Sequence, residues 1–277
     1  MMQFANVSKI NRFHLSLFLL ISGLSLVVLY TWYPIGVDWE QTFSQVGAHW
    51  RNPYVLPTFT SPPWIVALLP HSWLPPRMGN LVNICLNVAA LLAVIRRYGG
   101  RWQNYALVFT SPAFLHLAGT NNVDWIPLVA LLLPPAWGLP LLLVKPQSMG
   151  GIALIWLKRH RLKVLLPSVI ILAASFIVWG PWFLRLQPQI HVWWNFSPWP
   201  WGIPLGLYML YRAYQSDDEV LAAAATPFLT PYIALYSITA ILAILGDKYR
   251  REAICIYVGF WAYAVVESHR LSLLGLL

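Results

Sequence analysis

Charged side chains are scarce in this sequence. Asp, Glu, Lys and Arg make up 10% of the residues, whereas 58% are hydrophobic. A soluble domain usually carries about 25% charged residues. The sixteen Trp and thirteen Tyr residues suit the two surfaces of a membrane, where a ring with a polar tip meets both lipid and water. The composition therefore predicts an integral membrane protein.

Cysteine and acidic residues are also few. The two cysteines, Cys85 and Cys255, lie inside apolar runs, so the sequence predicts neither a disulfide framework nor a metal site built on cysteine. Nine acidic residues stand against eighteen Lys and Arg, which gives a formal net charge of +9. That charge falls in short clusters between apolar runs rather than along one face, and we therefore expect no nucleic-acid partner.

The basic clusters set the predicted topology, because short loops rich in Lys and Arg usually lie in the cytoplasm. The clusters are Lys9 with Arg12, Arg96 and Arg97 with Arg101, residues 158–163, and Lys248 with Arg250 and Arg251. They predict a multi-pass protein of the plasma membrane whose N-terminus is cytoplasmic and whose acidic loops lie outside.

The apolar runs between these clusters predict an all-α polytopic fold. A helix crosses the hydrocarbon with about 20 residues, and the runs give about ten or eleven crossings, several of them short. We interpret residues 1–277 as a single transmembrane domain, with a first external loop at 34–78 and a second external segment at 185–202. Within the first loop, residues 65–70 predict an interfacial helix. Prolines break the stretch 125–157, as is tolerated where backbone is buried or lines a cavity.

The predicted outer face carries residues suited to a binding or catalytic site. A carboxylate beside an apolar wall can act as a general base, cationic side chains can hold a phosphate, and aromatic rings suit a sugar or a polyprenyl chain. The candidates from this face are Asp38, Glu40, His49, Arg51, Arg77, Asp124, Lys145, Arg185 and His191.

The order of short motifs along the chain resembles the GT-C superfamily of membrane glycosyltransferases. The motifs are a loop Asp after a first helix (Asp38), NPY at 52–54, FTSPPW at 59–64, GTNNVDW at 119–125, VKPQ at 144–147 followed by KRHR, and TPFLTPY at 226–232. The branch that it resembles most is that of the polyprenyl-phosphate-mannose-dependent α-mannosyltransferases. The resemblance covers most of the chain and implies a GT-C-like helix bundle.

The resemblance also implies roles for individual residues. Asp38 matches the general base that deprotonates an acceptor hydroxyl, Asp124 matches an acid that orients the acceptor, and Lys145 matches a basic residue near the donor phosphate. The reaction would invert the anomeric carbon and need neither metal nor cofactor, with a polyprenyl-phosphate sugar as the donor. Further substrate-binding candidates are Gln147 and Tyr54 from the motifs, and Arg51, Arg77, Arg185 and His191 from their side of the membrane alone.

Each residue also has a purely structural interpretation. Asp38 could be a solvated loop residue, Asp124 could cap the following helix, and Lys145 could extend its amine to the interface. The Trp-rich segment at 193–201 is typical of an aromatic belt. His49, His71 and His116 are more typical of hydrogen-bonded structural residues than of metal ligands.

Two other classes of function stay open. One is a catalytically silent GT-C-like subunit that assembles with protein partners in a membrane complex, which the short chain and the many Trp residues favour. The other is a transporter or flippase, since proline-broken helices also mark substrate sites in carriers. In all three classes the expected partners include membrane lipids, and in the first a polyprenyl-phosphate lipid.

Overall fold

The computed structural model describes residues 30–186, 192 and 195–273, together with positions 24, 27 and 28. These residues form an all-helical structure, as predicted, and the described part of the chain contains a single isolated β-bridge between Asn195 and Ala234 but no strand. The first helix, which the sequence predicts at 13–33 before Asp38, falls largely outside the described residues, and the basic pair Lys9 and Arg12 falls wholly outside them.

The α-helices are mostly short. They are α1 (Pro76–Arg97), α2 (Trp102–Phe109), α3 (Pro112–Thr120), α4 (Trp125–Ala130), α5 (Pro135–Leu142), α6 (Pro146–Met149), α7 (Ile152–His160), α8 (Leu166–Trp179), α9 (Ile203–Ser216), α10 (Glu219–Leu229), α11 (Ile238–Leu245) and α12 (Arg250–Leu273).

Proline decides where several of these helices begin. Pro76, Pro112, Pro135 and Pro146 each occupy the first turn of a helix, where the missing N–H has no helical partner to lose. The stretch 125–157 is consequently divided into α4, α5, α6 and most of α7. The predicted breaks at Pro134 with Pro135 and at Pro146 are confirmed, and the break between α5 and α6 contains Lys145. The break predicted at Pro140 is wrong, because this proline lies inside α5.

The first loop has a hydrophobic core of its own. Trp39, Ile65 and Leu69 are fully buried in it, and Ile126 of α4 joins them. The expected interfacial helix at 65–70 is instead two 3-10 turns, Pro63–Leu68 and Pro70–Trp73. The prolines at these positions remove the N–H groups and fix the φ angles that a continuous α-helix would need.

Two helical segments of the described chain are long and apolar enough to cross a membrane. They are Pro76–Arg97, half of whose most apolar stretch is buried, and Ile152–Trp179, in which only 17% of that stretch is buried. In the second segment the backbone is interrupted at Arg161, whose φ is +54°. Most of α8 beyond this point, including Ile170 and Ile177, exposes its apolar side chains.

Hydrogen bonds and ion pairs join the three described basic clusters. Arg159 at the end of α7 pairs with Glu219 at 3.0 Å, and the phenol of Tyr98 after α1 donates to the same carboxylate at 2.9 Å. Lys248, after α11, pairs with Asp218 at 2.6 Å. We call the residues 96–101, 158–163, 217–219 and 247–251 the basic-loop cluster. Their contacts bring these loops together, and the side of the membrane on which they lie stays a prediction.

Candidate functional site

The first loop positions Asp38 by a close backbone approach at Gly36. The Gly36 N–H donates to the side-chain oxygen of Asn80 on α1 at 2.9 Å. A Cβ at Gly36 would stand 2.4 Å from the Cβ of Asn121, so only glycine fits against the second loop here. Trp39, which is fully buried, anchors the other side of Asp38. The Asp38 side chain is half-buried between these two anchors.

The second loop, residues 121–124, is held by asparagines of α1. Asn83 donates to the carbonyl of Asn121 at 2.8 Å, and Asn87 donates to the carbonyl of Asn122 at 2.7 Å. Asn121 has a left-handed backbone with φ of 49°, a conformation that asparagine tolerates better than most residues. Asp124 follows as the last residue before α4 and is 1% exposed.

Lys145 comes from the break between α5 and α6 and forms a buried ion pair. Its ammonium lies 2.8 Å from Oδ2 of Asp124, and both side chains are buried. The same ammonium donates to the side-chain oxygen of Asn122 and lies 4.8 Å from the centre of the Tyr236 ring. The lysine charge is therefore already matched by a carboxylate, and its remaining N–H faces an aromatic ring.

Asn122 joins this pair to Asp38. Its Nδ2 donates to Oδ2 of Asp38 at 2.6 Å and to the phenol oxygen of Tyr236 at 3.0 Å. Asp38, Asn122, Asp124 and Lys145 thus form one hydrogen-bonded group, which we call the Asp38 cluster. Among the described residues no cation lies within ion-pair distance of Asp38 itself.

The Asp38 cluster opens onto a cavity of about 800 Å³. Its lining includes uncharged polar side chains of the first loop, among them Gln41, Thr58 and Thr60. It also includes apolar side chains such as Leu172 of α8 and Trp182. Further lining residues are Asp38, Ser61, Trp64, His116, Asn122, Lys145, Gln147, Leu186, Tyr232 and Tyr236. The cavity is large enough for a small-molecule substrate and offers it both polar and apolar contacts.

The environment of Asp38 shifts its protonation equilibrium. Burial raises the pKa of the Asp38 carboxyl above its ordinary value, and this effect outweighs the hydrogen bond from Asn122 and the charge of Lys145, which both lower it. A carboxylate whose pKa is raised accepts a proton more readily near neutral pH, as a general base should.

The arginines predicted for the site do not line the cavity within the described chain. Arg51, Arg77 and Arg185 are all exposed. Arg185 comes nearest in the sequence, since it precedes the lining residue Leu186 and donates to the side chain of Asn52 at 3.0 Å. The charges that were expected to surround a donor phosphate therefore lie outside the cavity wall, apart from Lys145.

The remaining predicted residues also include some that line the cavity and some that do not. Gln147 lines the cavity, whereas Tyr54 is half-buried beside it and donates to the carbonyl of Ser61 at 3.0 Å. Glu40 is exposed. His191 lies outside the described residues.

Several site residues were not singled out from the sequence. Asn80, Asn83 and Asn87 stand three and four positions apart on an apolar helix, and this spacing alone places them on one face. Polar residues on the buried face of an apolar helix are a signal of a hydrogen-bonded network. Tyr236 had no comparable signal, because it reaches the cavity only through the packing of residues 232–237.

Two of the histidines differ in their surroundings. His71 is buried, stacks on Trp39 at 5.1 Å and contacts Asn83 at 3.4 Å, which fits the structural role expected for it. His116 lines the cavity, and its buried Nδ1 has no hydrogen-bond partner within the described part. In that part of the chain no group of three His, Cys, Asp or Glu side chains is arranged to hold a metal ion.

No family model, no curated protein and no solved structure matches this chain. The candidate site therefore rests on the geometry and chemistry of its own residues.

Proposed function

We propose that the protein is a membrane glycosyltransferase with a GT-C-like polytopic bundle, and that Asp38 is its general base. The observation that carries the proposal is the position of Asp38. It is a half-buried carboxylate without a cationic partner among the described residues, its pKa is raised by burial, and it lies in the wall of an 800 Å³ cavity. A purely structural carboxylate in an apolar setting is normally neutralised by a cation.

In the proposed reaction Asp38 takes the proton from an acceptor hydroxyl. The acceptor oxygen forms a bond to the anomeric carbon of a mannose-like sugar, and the bond from that carbon to the phosphate oxygen breaks with inversion. The phosphate leaves with the electron pair on its polyprenyl lipid. Gln147 lines the cavity and can donate a hydrogen bond to the phosphate, whereas the N–H groups of Lys145 already face Asp124, Asn122 and the Tyr236 ring and leave its charge as the contribution of this residue.

The surroundings of the cavity favour a lipid-linked substrate. Leu172 of α8 lines the cavity, and Ile170 and Ile177 of the same helix expose their apolar side chains. In a membrane this apolar helix face would contact lipid. A polyprenyl chain could therefore lie along α8 with its phosphate in the cavity, on the outer side of a plasma membrane.

One observation favours a second candidate, the catalytically silent subunit. Asp124 already neutralises Lys145, and Arg51, Arg77 and Arg185 lie outside the cavity wall. A departing phosphate would then meet little positive charge. This candidate predicts a folded protein that transfers no sugar.

Sugar transfer in reconstituted membranes tests the proposal. We expect Asp38→Asn, which keeps the shape and removes the base, to lower the rate by about 10²- to 10⁴-fold. The matched control is Glu40→Gln, because Glu40 is a nearby acid that is exposed, and this variant should retain activity. Equal rates for wild type and Asp38→Asn would overturn the assignment of Asp38 as the base. If neither wild type nor the variants transfer sugar from any of several polyprenyl-phosphate donors, the result would favour the catalytically silent subunit.

A further inference from the structure

The side chain of Asn122 is completely engaged. Besides its two donations, to Asp38 at 2.6 Å and to Tyr236 at 3.0 Å, its oxygen accepts from the Lys145 ammonium and from the Val123 N–H. An amide has two N–H donors and two acceptor positions on its oxygen, so no hydrogen-bonding capacity is left over. The side chain is 6% exposed.

The chemistry of the neighbours fixes which way this amide points. An ionised carboxylate can only accept hydrogen bonds, and an ammonium can only donate them. The amide nitrogen must therefore face Asp38, and the amide oxygen must face Lys145. A flipped amide would place two acceptors together on one side and two donors together on the other.

The backbone of Asn122 is fixed from α1. Asn87 donates to its carbonyl at 2.7 Å and Asn83 at 3.2 Å. On the same helix, Asn80 accepts from the Gly36 N–H at 2.9 Å and so fixes the loop that carries Asp38. One rigid helix face thus sets the distance between the Asn122 amide and the Asp38 carboxylate.

We propose that Asn122 is the positioning residue of the site, which holds the Asp38 carboxylate in one orientation and keeps it ionised for proton transfer. This role rests on the proposed function of Asp38 as the base. A hydrogen bond that is donated to the charged form of an acid favours that form, and the bond from Asn122 opposes the effect of burial on the pKa of Asp38.

The other groups that influence Asp38 are known from the structure. Lys145 lowers the pKa of Asp38 by its charge and Asp124 raises it, while His116 lowers it to a smaller extent. Removal of the Asn122 amide leaves these charges in place, so its effect on Asp38 can be measured separately.

The test uses the full-length protein in detergent with dicyclohexylcarbodiimide, an apolar reagent that reacts with protonated carboxyl groups. Labelling of the peptide that contains Asp38 is followed by mass spectrometry as a function of pH, and Asp38→Asn identifies the labelled site. We expect Asn122→Leu to raise the pH at which labelling of Asp38 is half-maximal, because a hydrogen bond to a charged group is lost. At pH values above this midpoint, Asp38 in the variant should be labelled about tenfold faster than in wild type. Asn122→Asp keeps the shape and the contact with Lys145 but adds a negative charge beside Asp38, so it should raise the midpoint further than Asn122→Leu does.

The matched control is Tyr236→Phe, which removes the other acceptor of the same amide and leaves its bond to Asp38. It should shift the midpoint by less than half as much as Asn122→Leu. Unchanged labelling in Asn122→Leu, or an equal shift in Tyr236→Phe, would overturn the role of Asn122. The labelling requires neither donor nor acceptor, so its outcome is independent of whether the chain transfers sugar.

Discussion

Two aspartates, Asp218 in the basic-loop cluster and Asp38 in the Asp38 cluster, have different surroundings. In the basic-loop cluster, Asp218 receives hydrogen bonds from Lys248 at 2.6 Å, from Tyr249 at 2.5 Å and from the N–H of Val220 at 3.0 Å. In the Asp38 cluster, Asp38 receives one side-chain hydrogen bond within the described residues, from Asn122, and borders a cavity. The first carboxylate is satisfied by its surroundings, and the second is left able to accept a proton.

The pKa values of the two carboxyl groups move in opposite directions. Burial pushes the pKa of Asp218 up, but its hydrogen bonds with Lys248, Tyr249 and a backbone N–H hold it below its ordinary value. Burial also raises the pKa of Asp38, and there the opposing contacts are too few to reverse the shift. A structural acid and a candidate base can thus be distinguished by what surrounds them rather than by residue type.

The buried pair in the Asp38 cluster should show the largest effect on stability. Asp124→Asn leaves the Lys145 charge buried without its counter-ion, and we expect a loss of about 3–5 kcal/mol in the free energy of unfolding. The double variant Asp124→Asn with Lys145→Met removes both charges and should recover most of this loss. Thermal unfolding in detergent measures both, and a single variant as stable as wild type would show that the pair does not form.

A smaller loss is expected at the basic-loop cluster. Asp218→Asn keeps the cap of α10 but loses the charge-assisted bonds with Lys248 and Tyr249, which should cost about 1–2 kcal/mol. Asp217→Asn is the matched control, because Asp217 is more exposed than Asp218 and exposed ion pairs contribute little. Equal stability of the two variants would contradict the structural role of Asp218.

The pH dependence of stability should have opposite signs at the two sites. The raised pKa of Asp38 means that its contribution to stability is present below the unfolded pKa and is lost as pH rises through the folded pKa. Asp38→Asn should therefore be more stable than wild type at neutral pH, and the gain should shrink as the solution becomes acidic. A gain that grows on acidification would disprove the assigned direction.

For Asp218 the sign is reversed. Its lowered pKa gives a contribution that is present above the unfolded pKa, about 3.9, and is lost as pH falls through the folded pKa. The destabilisation caused by Asp218→Asn should consequently vanish in strong acid, as unfolding midpoints measured at several pH values would show.

The smallest effects are expected for the exposed arginines. Arg51→Gln and Arg77→Gln change side chains that lie on the surface outside the cavity wall, and each should alter stability by less than about 0.5 kcal/mol. Their transfer rates should also stay close to wild type. A large loss of sugar transfer in either variant would show that the substituted arginine contributes to the functional site.

Parts of the fold could be predicted from the sequence because they depend on local rules. The prolines predicted most of the breaks in 125–157. The start of α10 at Glu219 follows from Asp218, whose side chain caps the helix. The predicted helix at 65–70 is divided between two 3-10 helices, because Pro70 lacks an N–H and has a fixed φ angle.

Only the charged residues of the candidate site could be predicted, because charged residues are rare in this sequence. Asp38, Asp124 and Lys145 stand out in an apolar sequence, and the structure brings all three together. The amide that connects them could not be foreseen, because asparagine is common in loops and the contact joins residues 84 positions apart. The pairing of Lys145 with Asp124 likewise depends on tertiary packing, and it changes the expected role of Lys145 from a free cation to a neutralised one.

The most direct test compares Asp38→Asn and Asp218→Asn for sugar transfer per folded molecule, in membranes reconstituted with a polyprenyl-phosphate sugar. The amount of folded protein is measured for each variant by its monodisperse fraction in detergent. We expect Asp38→Asn to fold at least as well as wild type and to lose about 10²- to 10⁴-fold in rate, whereas Asp218→Asn should yield less folded protein with a normal rate. An active Asp38→Asn beside an inactive but well-folded Asp218→Asn would contradict the placement of the functional site.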